Sequence, residues 1–380
     1  MAPNNLIDRL VSFEPTPFPV VSLYLNTQAD QNGRDYFDAF VRREFNARAK
    51  NWTMRTPERV SFDRDTERIN LYLRDELRPS ANGAAIFACS AENDFFEAVQ
   101  FDAPIEENHL YTSYQPHVYS LARFIDHYPP YIALVADTNT ARLYVFGAHE
   151  ELEQRTVVNP KVNRTMIGGW SQARYQRHID NYHLRHAKDV VDELDRLAHR
   201  ENIERVVLAG DEVIIPLLRE QFPQRLEERV IDVLRLDMTT PEHEVMKASF
   251  EAVRAHDARQ DAEKVGKLLD EYLGVGFAVT GARETLVALT LGQVEEMLLS
   301  ASEQDVRDDL TGSDAAIVPA ALEALNARRN GETSGETRSA MIADELVARA
   351  RQTDAKITFI EDASRLAERG GVGAKLRYRL

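Results

Sequence analysis

The sequence has almost no cysteine and no long apolar run, and each absence excludes a class of protein. Cys89 is the single cysteine among 380 residues, which excludes an internal disulfide and a cysteine-rich metal site. Because Cys89 ends the apolar run 84–89, we expect a buried structural thiol. No stretch of about 18 apolar residues is present, so we expect no membrane span. The N-terminus lacks a signal-peptide pattern, and we expect a cytoplasmic protein with no membrane partner.

The chain also lacks an excess of positive charge. Its 46 Lys and Arg residues are outnumbered by 62 Asp and Glu residues, which gives a formal net charge of −16. That balance argues against a protein that coats nucleic acid nonspecifically, and we expect no DNA partner. Contact with RNA through a local basic surface stays open. The length is sufficient for about two or three domains with cores of their own.

Three segments with separate patterns of apolar residues follow each other along the chain. The first contains apolar strands at 20–25 and 83–89 and helical periodicity at 34–50 and 66–77. Residues 90–125 are strand-like and irregular, and Pro129-Pro130 marks a boundary.

Strands and helices alternate through the rest of the chain. In the middle segment we predict strands 131–136, 141–146, 205–210 and 229–234, helices 171–200 and 213–222, and a helix pair within 241–273. In the last segment we predict strands 276–281, 294–299 and 356–360 and helices 282–291 and 338–352. We therefore expect an α/β protein with domains at 1–127, 128–273 and 274–380, the last a three-layer α/β/α domain.

Residues 168–172, Gly-Gly-Trp-Ser-Gln, form what we call the tip segment. Gly168 and Gly169 have no side-chain bulk and reach positive φ angles freely, which suits a mobile tip that enters a narrow space. A long amphipathic helix is predicted directly after it.

Positive charge is concentrated around the tip segment. Between residues 155 and 188 the single carboxylate is Asp180, so seven cations leave a local charge of +6. The seven are Arg155, Lys161, Arg164, Arg174, Arg177, Arg185 and Lys188. A surface whose charges are almost all positive favours binding to a phosphate-rich target. The alternative is that it pairs with an acidic patch of the same chain. His178 adds inducible charge. His183 and His186 are three residues apart without an evident third ligand, and we predict no metal site.

A second basic segment lies in the first domain. Arg42 and Arg43 fall on the predicted helix 34–50, and Trp52 follows it. Phosphate pairing and base stacking would suit RNA. A solvated helix face explains the same residues, and both interpretations stay open.

On these features the sequence resembles the class I release factors of archaea and eukaryotes, with the related Pelota and Vms1 proteins, and in particular their bacterial relatives. The resemblance rests on residues 21–25 and 82–87, on strands 131–136 and 141–146 with the tip segment and basic helix, and on 206–210, 276–289 and 370–378. It implies a mixed α+β first domain, a ribonuclease-H-like middle domain and a third domain similar to kink-turn-binding ribosomal proteins.

The family's function places each domain on the ribosome. The resemblance implies that the first domain sits at the decoding centre of the A site and that the middle domain brings its tip to the peptidyl transferase centre. The third domain would meet the stalk base and a translational GTPase. Partners would thus be ribosomal RNA and P-site tRNA, without a cofactor.

The tip segment departs from the family motif Gly-Gly-Gln, because Trp170 and Ser171 separate Gly169 from Gln172. Two extended residues move the glutamine by up to roughly 7 Å. The resemblance implies that the glutamine amide stabilises oxyanion charge during ester hydrolysis. No match to the stop-codon-reading motif is evident in residues 46–62, which predicts a codon-independent factor.

Three functions stay open, and with them whether the chain is an enzyme. In the first, Gly168, Gly169 and Gln172 form a catalytic tip for peptidyl-tRNA hydrolysis in ribosome rescue, and basic side chains hold RNA phosphates. In the second, the protein is a hibernation factor that fills the A site without catalysis, with Trp170 stacked on a base.

The third is a metal-dependent nuclease built on Asp137 and Asp211, although turn capping accounts for both carboxylates. Ser171 with His178 would suit nucleophilic catalysis, but an N-cap role for Ser171 is the stronger interpretation.

Overall fold

A computed structural model describes residues 3–28, 37–147, 154–158, 172–310 and 338–378. For residues 3, 4, 154, 155, 157, 158 and 172–180 it describes the backbone alone. Contacts group the chain into two compact units. The first unit combines the residues up to Tyr128 with those from Asp261 onward. The second unit consists of Pro129–Gly147 and of the described residues from Gln154 to Gln260. Strands and helices are mixed in both units, which confirms the predicted α/β class.

The N-terminal part of the first unit is an antiparallel sheet with the strand order β3-β2-β1-β4. Its elements are α1 (Pro3–Val11), β1 (Val20–Asn26), α2 (Phe37–Ala49), α3 (Pro57–Asp75), β2 (Gly83–Cys89), β3 (Phe95–Phe101), β4 (His109–Ser113) and α4 (Tyr119–His127). One face packs on α2 and α3, and the other on α1 and α4. Cys89 is buried there, and burial raises the pKa of its thiol to about 11. Such a thiol is unreactive, as the sequence predicts for a structural cysteine.

The five-stranded sheet of the second unit has the order β7-β6-β5-β8-β9. Its elements are β5 (Tyr131–Ala136), β6 (Thr140–Phe146), β7 (Gln154–Val158), α5 (Gln172–Arg200), β8 (Val206–Gly210), α6 (Ile214–Gln221), α7 (Gln224–Glu227), β9 (Val230–Leu234) and α8 (Glu242–Leu273). The first three strands are antiparallel, and β5, β8 and β9 run parallel. α5 and α6 cover one face and the first half of α8 the other. This is the ribonuclease-H-like arrangement that the resemblance implies.

The C-terminal part of the first unit is a four-stranded sheet with the order β10-β13-β11-β12. Its elements are β10 (Ala278–Thr280), α9 (Ala282–Thr290), β11 (Val294–Ser300), a 3-10 turn (Glu303–Asp305), α10 (Arg338–Gln352), β12 (Lys356–Ile360), α11 (Ser364–Ala367) and β13 (Val372–Leu376). α9 and α10 cover one face, and the end of α8 with α11 covers the other. The predicted three-layer arrangement is confirmed.

The two sheets of the first unit share one apolar core through α1, α4, α9 and α10. Asp344 of α10 lies fully buried at the N-terminus of α4. Its Oδ1 accepts the amides of Val118 and Tyr119 at 2.9 and 2.8 Å, and its Oδ2 lies 2.8 Å from Nδ1 of His117. A carboxylate is favourable at this end of a helix dipole, so Asp344 joins the two parts of the unit.

Several elements differ from those that the sequence predicts. α4 lies in a stretch that we predicted to be strand-like, because its aromatic and β-branched residues are typical of strands. α1 was not predicted. Residues 242–273 form one helix rather than a pair, since Val245 and Val253 face one sheet and Val265 and Leu268 face another. Because the apolar face of α8 changes along its length, its sequence pattern resembles that of two separate helices.

Candidate nucleic-acid interface

The tip segment connects β7 to α5 in the second unit. Arg164, Gly168, Gly169 and Trp170 lie outside the described residues. Gln172 is the first residue of α5, so its backbone amide belongs to the first turn. Amides of a first turn have no partner within their helix and are available to an anion or a cap. The backbone of Arg174, Arg177 and His178 continues this helix.

The central part of α5 is anchored on the sheet by apolar residues at helical spacing. Its buried residues Ala187, Val190, Leu194 and Leu197 pack against β5, β6 and β8. Arg185 and Lys188 are exposed. Because the apolar residues occupy one face, these two cations point to solvent, as the periodicity predicts.

Charge changes sign along α5. Residues 172–188 carry four cations and one carboxylate, a net charge of +3, whereas residues 189–200 carry two cations and four carboxylates, a net charge of −2. In the acidic half Arg196 pairs with Glu193 at 2.8 Å, and Arg225 from α7 pairs with Asp195. The basic half directly follows the tip segment, so the excess of positive charge in the α5 sequence lies toward the end that the tip segment joins.

His186 serves the packing of α5. Its side chain is fully buried near the turn between β5 and β6, where Asp137 and the backbone of Thr140 favour protonation. Burial outweighs them and lowers the pKa of His186 below its usual value. His183 instead lies beside Tyr182, with ring centroids 6.1 Å apart. The two histidines therefore differ in environment despite their helical spacing.

The two carboxylates considered for a nuclease are caps. Oδ1 of Asp137 accepts the amides of Asn139 and Thr140, both at 2.7 Å. Oδ1 of Asp211 accepts the amide of Ile214 at 2.8 Å at the start of α6. In the described part of the chain no group of three or more His, Cys, Asp or Glu residues is placed to hold a metal ion. Turn capping is thus the role that the structure gives them.

Arg42 and Arg43 are exposed on α2. Nε of Arg42 donates to the carbonyl of Asp38 within the helix, and Arg43 lies over the ring of Phe40 and pairs with Glu44. Such exposed pairs exchange easily for other partners. Trp52 packs on Phe62 with ring centroids 4.9 Å apart and lies partly buried against the core of the N-terminal sheet. Across the helices that the structure describes, none is long and apolar enough to span a membrane.

Comparison with known proteins relates the chain to translation factors. Residues 116–254 match the model of bacterial archaeo-eukaryotic release factor family 10. A Pelota homologue of Pyrococcus furiosus is 24% identical over 220 residues, which cover 55% of this chain and 53% of the relative. The chain thus spans about half the length of that curated relative.

Alignments with solved structures of the same kind cover nearly the whole chain. A model of ribosome-bound archaeal Pelota and ABCE1 is 14% identical, with 100% of this chain and 95% of that one covered and a TM-score of 0.41. The archaeal translation termination factor aRF1 is 18% identical, with 99% and 97% covered and a TM-score of 0.25. Because these TM-scores are low, the relationship rests on the sequence matches. The resemblance of this chain to the archaeo-eukaryotic release factors and Pelota is confirmed by the family model over residues 116–254 and by the match to the Pelota homologue.

Proposed function

We propose that this chain is a ribosome-associated translation factor that enters the A site and places residues 168–172 at the peptidyl transferase centre. The observation that carries the proposal is a tip segment with two glycines joined to the basic half of α5, inside the segment that matches the release factor family. In this proposal residues 1–127 occupy the decoding centre, 128–273 carry the tip, and 274–380 contact a translational GTPase.

The reaction that suits this arrangement is hydrolysis of the ester between peptide and tRNA, independent of codon, in ribosome rescue. Gly168 and Gly169 allow the backbone to approach the ester closely. The amide of Gln172, in the first turn of α5, would stabilise the charge that develops on the carbonyl oxygen. Phosphates of tRNA and ribosomal RNA would be held by Arg164, Arg174, Arg177, His178, Arg185 and Lys188 and, at the decoding centre, by Arg42 and Arg43.

A second function is a hibernation factor that fills the A site without hydrolysis. It is favoured by Trp170 and Ser171, which separate the glycines from Gln172. Trp170 would stack on a nucleobase and occupy the centre.

Purified protein mixed with ribosomes that carry peptidyl-tRNA in the P site and an empty A site tests both functions. We expect release of the peptide, and a loss of at least about tenfold in rate in Gln172→Pro, which lacks the backbone N–H that would stabilise the developing oxyanion. Gln172→Ala keeps this N–H and is the control for loss of the side chain alone. Tight binding without release would establish the hibernation function instead.

Charge reversal tests the RNA contact itself. We expect Arg174→Glu with Arg177→Glu to abolish ribosome binding in a sedimentation assay, because the basic half of α5 becomes acidic. Arg196→Glu is the matched control, since this exposed residue lies in the acidic half of the same helix. Equal binding by all three proteins would refute the proposed interface.

A further inference from the structure

The first unit contains a cavity of about 400 Å³ that the proposed function does not use. Aromatic side chains form much of its wall, among them Tyr111, Tyr119, Phe124 and Tyr128. The hydroxyl of Tyr119 donates to the carbonyl of Ser300 at 2.6 Å, and the ring of Tyr111 stacks on His117 at 3.6 Å between centroids. These contacts fix the orientation of the wall, as in a preformed binding site.

Carboxylates dominate the charge of the cavity. Among the described residues that line it are four glutamates, Glu106, Glu107, Glu303 and Glu361, and one permanently charged cation, Arg123. With neutral histidines, the formal charge of these residues is −3. Burial lowers the pKa of His109, which keeps that histidine neutral near pH 7. A negative cavity repels phosphates and attracts cations.

The guanidinium group of Arg123 lies near two of the cavity's carboxylates. Its Nη2 lies 3.1 Å from Oε2 of Glu106 and 3.6 Å from Oε2 of Glu361. Glu303 lies on the 3-10 turn, with its side chain 24% exposed and Oε2 4.0 Å from Nε2 of His117. Its carboxylate therefore brings negative charge next to the aromatic wall.

We propose that this cavity binds an organic cation, a primary ammonium or guanidinium group carried on an aliphatic chain. The cationic head would lie over a tyrosine ring and beside the carboxylate of Glu303, and the chain would cover the apolar wall. Aromatic faces and carboxylates together suit such a cation better than a bare metal ion, which needs several oxygen ligands at close range. A free polyamine and a lysine side chain of a protein present the same chemistry.

Titration of the full chain by calorimetry tests the site, with spermidine and an acetylated Lys-Lys amide as separate probes. We expect one of the two to bind, and the tighter probe distinguishes a free polyamine from a peptide. Glu303→Gln should weaken binding at least tenfold, because the charge beside the wall is lost. Glu44→Gln is the matched control, since its side chain is 22% exposed and lies on α2, outside the cavity.

Two results would overturn the proposal. One is the absence of binding by both probes at millimolar concentration. The other is equal affinity in the parent and in Glu303→Gln, which would mean that the probes bind the acidic chain without using the cavity. Thermal unfolding of the variants shows that each remains folded, and neither result depends on ribosome binding.

Discussion

Asp344 and Asp65 are both fully buried carboxylates of the first unit, but their hydrogen bonding differs. Asp344 uses both oxygens, one for two helix amides and one for His117. Asp65 on α3 receives the amide and hydroxyl of Ser90 on Oδ1 alone. Its Oδ2 has no partner with hydrogen-bond geometry within the described residues.

This difference determines what each carboxylate does for the fold. Burial raises the pKa of Asp65 to about 6, against the opposing effect of its hydrogen bonds from Ser90. Asp65 is thus a destabilising charge at neutral pH, whereas Asp344 supplies acceptors that buried amides require. Burial alone does not indicate whether a charged side chain stabilises a protein.

The largest effect is expected from removing Asp344. Asp344→Ala leaves two buried amides and His117 without their acceptor, and we expect a loss of roughly 3–5 kcal/mol in unfolding free energy. Denaturation followed by fluorescence of Trp52, which packs in the N-terminal core, measures it. Glu263→Ala, at a position 72% exposed, should change stability by less than about 0.5 kcal/mol. A loss below about 1 kcal/mol for Asp344→Ala would contradict the assigned role.

An intermediate effect is expected from Asp65, and it depends on pH. The folded pKa of about 6 lies above the ordinary value of 3.8, so the folded state binds more protons between these values. Stability therefore falls as pH rises from about 4 to about 6, by on the order of 3 kcal/mol for this group. Asp65→Asn keeps an acceptor for Ser90, should lose this dependence and should be the more stable protein at pH 7.

Denaturation curves at pH 4.5 and pH 7 distinguish the outcomes for this variant. Asp63→Asn provides the control, because Asp63 lies on the same helix with its side chain 55% exposed and pairs with Arg59. If Asp65→Asn keeps the parent's pH dependence, Asp65 is not the titrating group.

The smallest effect is expected at Val275, in the loop after α8. This β-branched residue has a φ of +56° and is 75% exposed, so it gains little from burial to offset its strained backbone. We expect Val275→Gly to raise the unfolding free energy by about 0.5–1 kcal/mol. Val60→Gly, at an exposed valine within α3, should instead lower it, because glycine disfavours a helix. Thermal unfolding midpoints measure the stability of both variants. A midpoint for Val275→Gly below that of the parent would contradict backbone strain at Val275.

Elements with one persistent apolar face were predictable from the sequence. Helix 338–352 has the bounds that its periodicity predicts, and strand 131–136 begins and ends as its apolar run does. Elements whose apolar face changes along their length were not predictable in this way, as α8 shows. The exposure of Arg185 and Lys188 followed from spacing alone, whereas the burial of His186 depended on the turn against which α5 packs.

The sequence by itself determined the basic half of α5, the glycines before it and the family resemblance, because these reside in consecutive residues. Tertiary structure alone decided which carboxylates find partners. Asp344 meets the amides of α4 across 225 and 226 residues, and the cavity joins glutamates from positions 106 and 107 to those at 303 and 361. Hydrogen bonds and electrostatic fields act over a few ångströms of space, and only the folded chain brings such distant residues that close.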